Sequence, residues 1–205
     1  MHARIATFEG GRPEDIEKVR KHIPETFIPQ LRAMKGHAGM IQLADRDSGR
    51  GLSIVLFENE EALTAGDREL NAMSPPDDLS GTRRTSVEKY EVVLHQVDGD
   101  PAAARLSRLE GSPGRIDEGI RFAEENILPR ARGTEGWSGI FGLADRQTGK
   151  LTLITLWEST EALRASEELA NRLRQESADT MGHKIAGVER YEVLGIDVPV
   201  RAGSR

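Results

Sequence analysis

The chain has 205 residues, and its 28 Lys and Arg stand against 34 Asp and Glu, which gives a formal net charge of −6. The acid excess disfavours a nucleic-acid partner, because phosphate binding needs a basic surface. The absence of Cys excludes disulfides, cysteine catalysis and thiolate metal sites. With no signal-peptide pattern and no apolar run of about 18 residues, the sequence predicts a cytoplasmic protein without a membrane span.

The first predicted elements are a strand over residues 3–9 and a helix that begins at Pro13. A Pro near the start and acids in the first turn are typical of a helix N-terminus. The spacing of three and four between apolar residues predicts one apolar helix face, formed by Ile16, Val19, Ile23, Phe27, Leu31 and Met34. An interior Pro costs about 3 kcal/mol in a regular helix, so Pro24 and Pro29 predict a kink or a break.

A hairpin is predicted next, with strands over 38–45 and 52–57 joined by a polar turn that ends in Gly49. Asn59 is the predicted N-cap of a second helix. A loop is then predicted at Ser74-Pro75-Pro76, and a fourth strand over 87–94.

The same element order occurs twice, at an offset of 100 or 101 residues. Over positions 27–65, 16 of 39 residues are identical to the residue 100 positions later, which indicates a tandem duplication. The matching runs are 36–46 with 136–146, 58–63 with 158–163, and 87–92 with 188–193. A polar Gly/Pro segment at 97–102 predicts a linker, so we expect one repeat over 1–97 and a second over 98–205.

The order βαββαβ predicts a ferredoxin-like α+β unit, with a four-stranded antiparallel sheet and both helices on one face. Along the third strand, Ile54 and Leu56 are predicted to face the helices. The alternate residues Ser53, Val55 and Phe57 are too apolar to face water, so the other sheet face also needs a cover. We therefore expect the two antiparallel sheets to face each other within one chain, as an α+β barrel with an inner space.

Three segments of the second repeat resemble the antibiotic-biosynthesis-monooxygenase type of dimeric α+β barrel. They are the run 136–139 (Gly-Trp-Ser-Gly), the turn 145–149, and the strand from Leu151 to Trp157 with the Glu-Ser that follows. The resemblance covers both repeats and implies a tandem-duplicated, single-chain member of a group that mostly assembles the barrel from two chains. The group includes cofactor-independent quinol oxygenases, haem-degrading enzymes and proteins of unknown role, so the resemblance implies a fold and not one function.

No cofactor and no metal are predicted. The haem-degrading members that the chain resembles use an Asn on strand one with a Trp and a His on the second helix. This chain has Thr7 and Ser107 on strand one and no Trp on either second helix. The five His residues form no metal-ligand pair, and the Asp-x-Asp-x-Gly run at 45–49 lacks the later Glu of a calcium loop. Nucleotide-binding and GxSxG patterns are absent as well.

The candidate substrate-binding residues are Arg4, Tyr90, Arg105, Trp157 and Tyr191. The two Arg residues recur on strand one, where they can pair with Glu91 and Glu192 or, if they point into the barrel, hold an anionic or phenolate substrate. Trp157 is predicted to stack on a planar ligand, and the two Tyr residues to donate a hydrogen bond or shuttle a proton. Each candidate also has a structural interpretation, as an ion pair, core filling or strand packing, and the catalytic residues stay unknown.

Two functions are left open. The first is a small-molecule-binding barrel that acts as a cofactor-independent monooxygenase on an aromatic or quinol-like substrate, by deprotonating a phenol and stabilising the anion that reacts with oxygen. The second is a non-catalytic ligand-binding or structural barrel. The expected partner is a small molecule, without nucleic acid or membrane. We expect the chain to form an intrachain pseudo-dimer, and its exposed helices leave a homodimer open.

Overall fold

A computed structural model describes residues 1–73 and 81–198, and the loop predicted at Ser74-Pro75-Pro76 lies outside them. The first repeat consists of β1 (His2–Glu9), α1 (Ile16–His22), α2 (Ile28–Arg32), β2 (His37–Asp45), β3 (Arg50–Phe57), α3 (Glu60–Ala72) and β4 (Arg83–Val97). The second consists of β5 (Ala103–Glu110), α4 (Ile116–Phe122), α5 (Leu128–Arg132), β6 (Trp137–Asp145), β7 (Lys150–Trp157), α6 (Thr160–Ala165), α7 (Glu167–Met181) and β8 (Lys184–Asp197).

The first helix of each repeat is interrupted, and in the first repeat the interruption lies at Pro24, where the sequence predicts a kink. A π-helical turn separates α1 from α2 at Ile23–Phe27, and α4 from α5 at Ala123–Ile127. Pro24 lies in the first of these turns, but Glu124 takes its place in the second. The irregular turn therefore forms without a Pro at that position.

The predicted helix caps and hairpins are confirmed. The side chain of Asn59 accepts a hydrogen bond from the backbone N of Ala62 at 2.9 Å, and Ser159 accepts one from the backbone N of Ala162 at 3.1 Å. In the first hairpin, Asp45 accepts a bond from the backbone N of Asp47 at 3.1 Å. Gly49 ends this turn at φ +68°, a conformation that favours glycine.

The chain divides into two compact units whose bounds differ from those of the repeats. Unit 1 consists of Met1–Tyr90 and 192–198, and unit 2 of Glu91–Tyr191. Within unit 1, the end of β8 pairs with β2, and within unit 2 the end of β4 pairs with β6. Each unit thus takes a sheet strand from the last strand of the other repeat. These last strands have 15 and 14 residues, longer than the sequence predicts.

The strands are hydrogen-bonded in the order β1-β3-β2-β8-β5-β7-β6-β4, which closes into a barrel. The predicted fold class is therefore confirmed: an α+β fold with two ferredoxin-like βαββαβ repeats and an antiparallel barrel. None of the helices in residues 1–73 and 81–198 has the length and apolar character needed to cross a membrane.

The orientation predicted for the third strand is wrong. Val55 and Phe57 are fully buried and pack in one cluster with Leu63 and Leu70 of α3, so these alternate residues face the helices. Leu52, Ile54 and Leu56 lie on the opposite sheet face, where they are also fully buried. Because both faces of this strand are apolar, its period-two pattern does not show which face the helices cover.

Candidate functional site

Unit 1 contains a cavity of about 960 Å³ between its helices and one face of its sheet. The sheet supplies residues from β1, β2 and β3 and from the end of β8. The helical side comes from α1, α2, α3 and the π-helical turn. The apolar part of the wall is formed by Phe8, Ile16, Val19, Ile23, Phe27, Leu70, Met73 and Leu194.

Four polar side chains of this wall have no hydrogen-bond partner within the described part of the chain. Gln42 and Ser53 are directly opposite each other on β2 and β3. His22 lies at the end of α1 and Gln30 in α2. All four line the cavity, so their donors and acceptors are available to a bound molecule.

Charged side chains also line this cavity. Among the described residues they are six Arg and two Asp, although the whole chain carries a net charge of −6. Arg4 is buried and donates to Asp67 at 2.7 Å and to Asn71 at 2.9 Å. Hydrogen bonds from Arg12 and Lys18 lower the pKa of Asp15, so this carboxylate stays ionised near neutral pH and is a weaker base than an ordinary Asp. Arg4, Arg12, Arg46 and Arg83 each pair with a carboxylate, so most of this positive charge is neutralised within the protein. Arg84 donates to the carbonyl of Leu70 and has no carboxylate partner among the described residues.

Unit 2 has a cavity of only about 90 Å³ at the corresponding place between its helices and sheet. Three matched positions explain the loss of polar groups: Phe122 replaces His22, Gly142 replaces Gln42 and Leu153 replaces Ser53. Trp157 takes the place of Phe57 and packs edge-to-face on Trp137, with the ring centroids 5.6 Å apart. Leu153 and Trp157, which are larger than Ser53 and Phe57, both line this smaller cavity.

The structure separates the five predicted site residues. Arg4 lines the large cavity, whereas Arg105 and Trp157 line the small one. Tyr90 and Tyr191 are buried at 4% and 5% exposure and are not among the residues lining either cavity. The Tyr90 hydroxyl donates to Glu88 at 3.0 Å.

The predicted pairs between strand one and strand four do not form. Arg4 pairs with Asp67 at 2.7 Å, and Arg105 pairs with Glu167 at 3.0 Å, so both point toward the helices of their own unit. Glu91 and Glu192 instead pair with Arg146 and Arg46 in the hairpin turns. The reason is that β4 and β8 have already crossed into the other unit at these two Glu residues.

Sequence reasoning missed the polar residues His22, Gln30 and Gln42. The signal was available, because His22 and Gln42 are polar where the second repeat has Phe122 and Gly142. Trp157 fits its structural interpretation, since it packs with Leu163 and lies beneath the Arg105 guanidinium, 5.6 Å from the ring centroid. Among the described residues, no three His, Asp or Glu side chains are grouped so that they could hold a metal ion.

No family model matches the sequence of this chain. An uncharacterized protein of Mycobacterium tuberculosis is 25% identical over 187 residues, which cover 89% of this chain and 82% of the relative. A second uncharacterized protein of that organism is 21% identical over 197 residues, 94% of this chain and 83% of the relative.

Solved structures show the same fold over almost the whole chain. A proposed monooxygenase from Lactobacillus acidophilus superposes with a TM-score of 0.63 at 12% identity and covers 97% of both chains. An anthrone oxidase-like protein superposes with a TM-score of 0.62 at 14% identity, over 98% of this chain and 96% of that one. A ferredoxin-fold protein from Listeria monocytogenes, related to antibiotic biosynthesis monooxygenases, has a TM-score of 0.52 at 9% identity, with 93% and 94% covered. The chain has the antibiotic-biosynthesis-monooxygenase-like fold. At these identities the likeness establishes the fold alone.

Proposed function

We propose that unit 1 binds a small aromatic, quinol-like molecule and that the chain oxidises it with molecular oxygen, as a cofactor-independent monooxygenase. The observation that carries the proposal is the cavity of about 960 Å³ in unit 1. Small-molecule sites in proteins span roughly 300–1,000 Å³ and combine an apolar wall with a few placed polar groups. This cavity has that size and that composition.

The wall fits a flat, fused-ring molecule. Phe8 and Phe27 offer aromatic faces, and Leu70 and Met73 close the side formed by α3. Gln42 and Ser53 project from neighbouring positions of the sheet, where they can bind ring oxygens of the ligand. Arg84 lines the cavity without a carboxylate partner among the described residues, and its charge would stabilise a phenolate relative to the neutral phenol.

His22 is the residue to which we assign proton removal. It is the one His among the residues lining the cavity, and its side chain has no partner in the described residues. An imidazole is the side chain most often used as a general base. Once the substrate is an anion, oxygen adds to its electron-rich ring carbon. One oxygen atom remains as a carbonyl and the other leaves as water, so a CH₂ group and O₂ give C=O and H₂O.

The fold neighbours support this choice of chemistry. One of them is a proposed monooxygenase and another is an anthrone oxidase-like protein. Anthrone has the chemistry that the cavity would accept: a flat tricyclic body, a tautomeric phenol and a reactive CH₂ group. It is therefore the first substrate to test.

The test is oxygen uptake by the chelator-treated protein, measured with an electrode, with anthrone as the substrate. We expect turnover above the rate without protein, and a loss of at least about 100-fold in His22→Phe, because a positioned general base contributes about 10²–10⁴. Lys21→Gln, an exposed change one residue away, serves as the matched control. Equal uptake with and without protein would contradict the oxygenase assignment.

The alternative is a non-catalytic barrel that binds a ligand or serves as a scaffold. The observation that favours it is the filled cavity of unit 2, since one half of this chain keeps the fold without a site of that size. Saturable binding of the redox-stable probe 2-naphthol without oxygen uptake would support a binding protein. The absence of both would support a structural barrel.

A further inference from the structure

The small cavity of unit 2 lies beside a buried group of positive charges. Arg105 on β5 is 2% exposed, and its Nη2 donates to the carbonyl of Leu163 at 2.7 Å, to Ser166 at 3.0 Å and to Glu167 at 3.0 Å. Arg174 on α7 is buried next to it and donates to Ser107 at 3.3 Å. A cation that is removed from water needs an anion nearby, because its desolvation is otherwise costly.

A single carboxylate, that of Glu167, lies close to three guanidinium groups. Glu167 lies 3.0 Å from Arg105, 3.9 Å from Arg174 and 2.5 Å from Arg190. Burial lowers the pKa of Arg105 and of Arg174, and the charge of Arg105 lowers that of Arg174 further. With three guanidinium groups and one carboxylate, the group carries two excess positive charges.

Unit 1 balances its corresponding group better. There Asp67 lies 2.7 Å from Arg4 and 2.6 Å from Lys89, which are the counterparts of Arg105 and Arg190. That leaves one excess positive charge instead of two. The difference is Arg174, which is specific to unit 2.

Two hydrogen-bond donors of the cavity wall are unused. The Nε of Arg105 and the Nε1 of Trp137 are buried, and neither has a hydrogen-bond partner among the described residues. Leaving a buried donor without an acceptor costs about 1–3 kcal/mol. Arg105, Arg174 and Trp137 all line the cavity, and none of the described residues that line it carries a carboxylate. An anion in this cavity would supply both the acceptor atoms and the missing negative charge.

We propose that the cavity of unit 2 is a binding site for a small monoanion, namely a short-chain carboxylate such as acetate. The volume of about 90 Å³ is sufficient for several water molecules or for one such anion. The carboxylate faces the Arg105 Nε and Trp137 Nε1 donors, with Arg174 as the balancing cation. Leu153, Leu169 and Leu173 form the apolar wall against its methyl group. This site is separate from the aromatic site of unit 1 and does not depend on it.

Intrinsic fluorescence reports on this cavity alone, because Trp137 and Trp157 are the two Trp residues of the chain and both line it. The experiment is a titration of the full-length protein with sodium acetate, with the ionic strength held constant by sodium sulfate. We expect a saturable change in emission and a thermal unfolding midpoint that rises with acetate. Sodium chloride is titrated in parallel to distinguish a carboxylate from a halide.

Three variants decide the outcome. Arg174→Gln removes the excess cation. We expect it to weaken acetate binding at least tenfold and to abolish the rise of the thermal unfolding midpoint with acetate. Trp137→Phe removes one donor and is expected to weaken it several-fold, with Trp157 as the reporter. Arg172→Gln, on the same helix but 60% exposed and paired with Glu168, is the control and should change the affinity less than twofold.

A linear response, or a saturable one that Arg174→Gln leaves unchanged, would overturn the proposed site. Saturation by chloride but not by acetate, with the same dependence on Arg174, would overturn the assignment to a carboxylate. None of these readouts involves oxygen uptake, so their outcome does not depend on whether unit 1 has oxygenase activity.

Discussion

Units 1 and 2 share their strand register and differ in that α3 of unit 1 corresponds to α6 and α7 of unit 2, yet their cavities measure about 960 and about 90 Å³. The register Gln42↔Ser53 in unit 1 corresponds to Gly142↔Leu153 in unit 2, so the backbone positions match and only the side chains differ. The comparison shows how a duplicated fold specialises: one copy keeps an open, polar-floored space, and the other fills it and concentrates positive charge beside Glu167.

The largest expected effect concerns the carboxylate at the centre of each charged group. Glu167→Gln leaves three Arg residues without an anion, and we expect the free energy of unfolding to fall by about 3–5 kcal/mol. Asp67→Asn keeps an acceptor for Arg4 and leaves Asn71 in place, so we expect the free energy of unfolding to fall by only about 2 kcal/mol. Urea denaturation measures both values. An equal or larger loss in unit 1 would contradict the difference in charge balance.

The same group predicts an acid-dependent loss of stability. Burial alone raises the pKa of Glu167, but the hydrogen bond from Arg190 and the charges of Arg105 and Arg190 bring it below its ordinary value of 4.5. A carboxylate with a lowered folded pKa stabilises the protein above its unfolded pKa and loses that contribution as the pH falls through the folded pKa. We expect urea midpoints to fall below pH ~4.5, and less steeply in Glu167→Gln.

A second difference between the units lies in α3, where Gly66 takes the place that Ser166 has in unit 2. A Cβ at Gly66 would lie 2.3 Å from ring atoms of the buried Phe57, so Gly66→Ala should destabilise by about 1–3 kcal/mol through overpacking. This is opposite to the gain of about 1 kcal/mol that Ala brings to a helix interior. Gly119→Ala is the matched control, since its Cβ would meet only ordinary contacts at 3.4 Å or more. Thermal unfolding should show opposite signs for the two variants.

Transferring the wall of unit 2 into unit 1 should close the ligand cavity. Ser53→Leu introduces the side chain that unit 2 carries at Leu153, and we expect the affinity for 2-naphthol to fall at least tenfold, about 1.4 kcal/mol. Isothermal calorimetry measures the affinity. The reciprocal change Leu153→Ser should leave it within a factor of two. If Ser53→Leu binds as well as the wild type, the ligand does not occupy the cavity of unit 1.

The smallest effect is one in which the units should agree. Asn59 and Ser159 cap α3 and α6 through the same bond to the third residue of the helix. Asn59→Ala and Ser159→Ala should each cost about 1 kcal/mol. A clear difference between them in urea denaturation would mean that the caps, too, have diverged between the repeats.

The sequence by itself determined the duplication, the element order and the barrel class. The identities between 36–46 and 136–146, the caps at Asn59 and Ser159, and the turns ending in Gly49 and Gly149 are local signals, and local structure follows from them directly. The resemblance carried by the second repeat pointed to the same fold that the solved structures share.

Only the tertiary structure decided which strand face the helices cover, which carboxylates pair with Arg4 and Arg105, and which unit has the large cavity. Because both faces of β3 are apolar, alternation could not assign Ser53 and Phe57 to the helix side. The carboxylate partners of Arg4 and Arg105 lie more than 60 residues away on α3 and α7, a separation that no local pattern specifies. A cavity is a property of packing among many side chains, so its volume exists only once the helices have docked on the sheet.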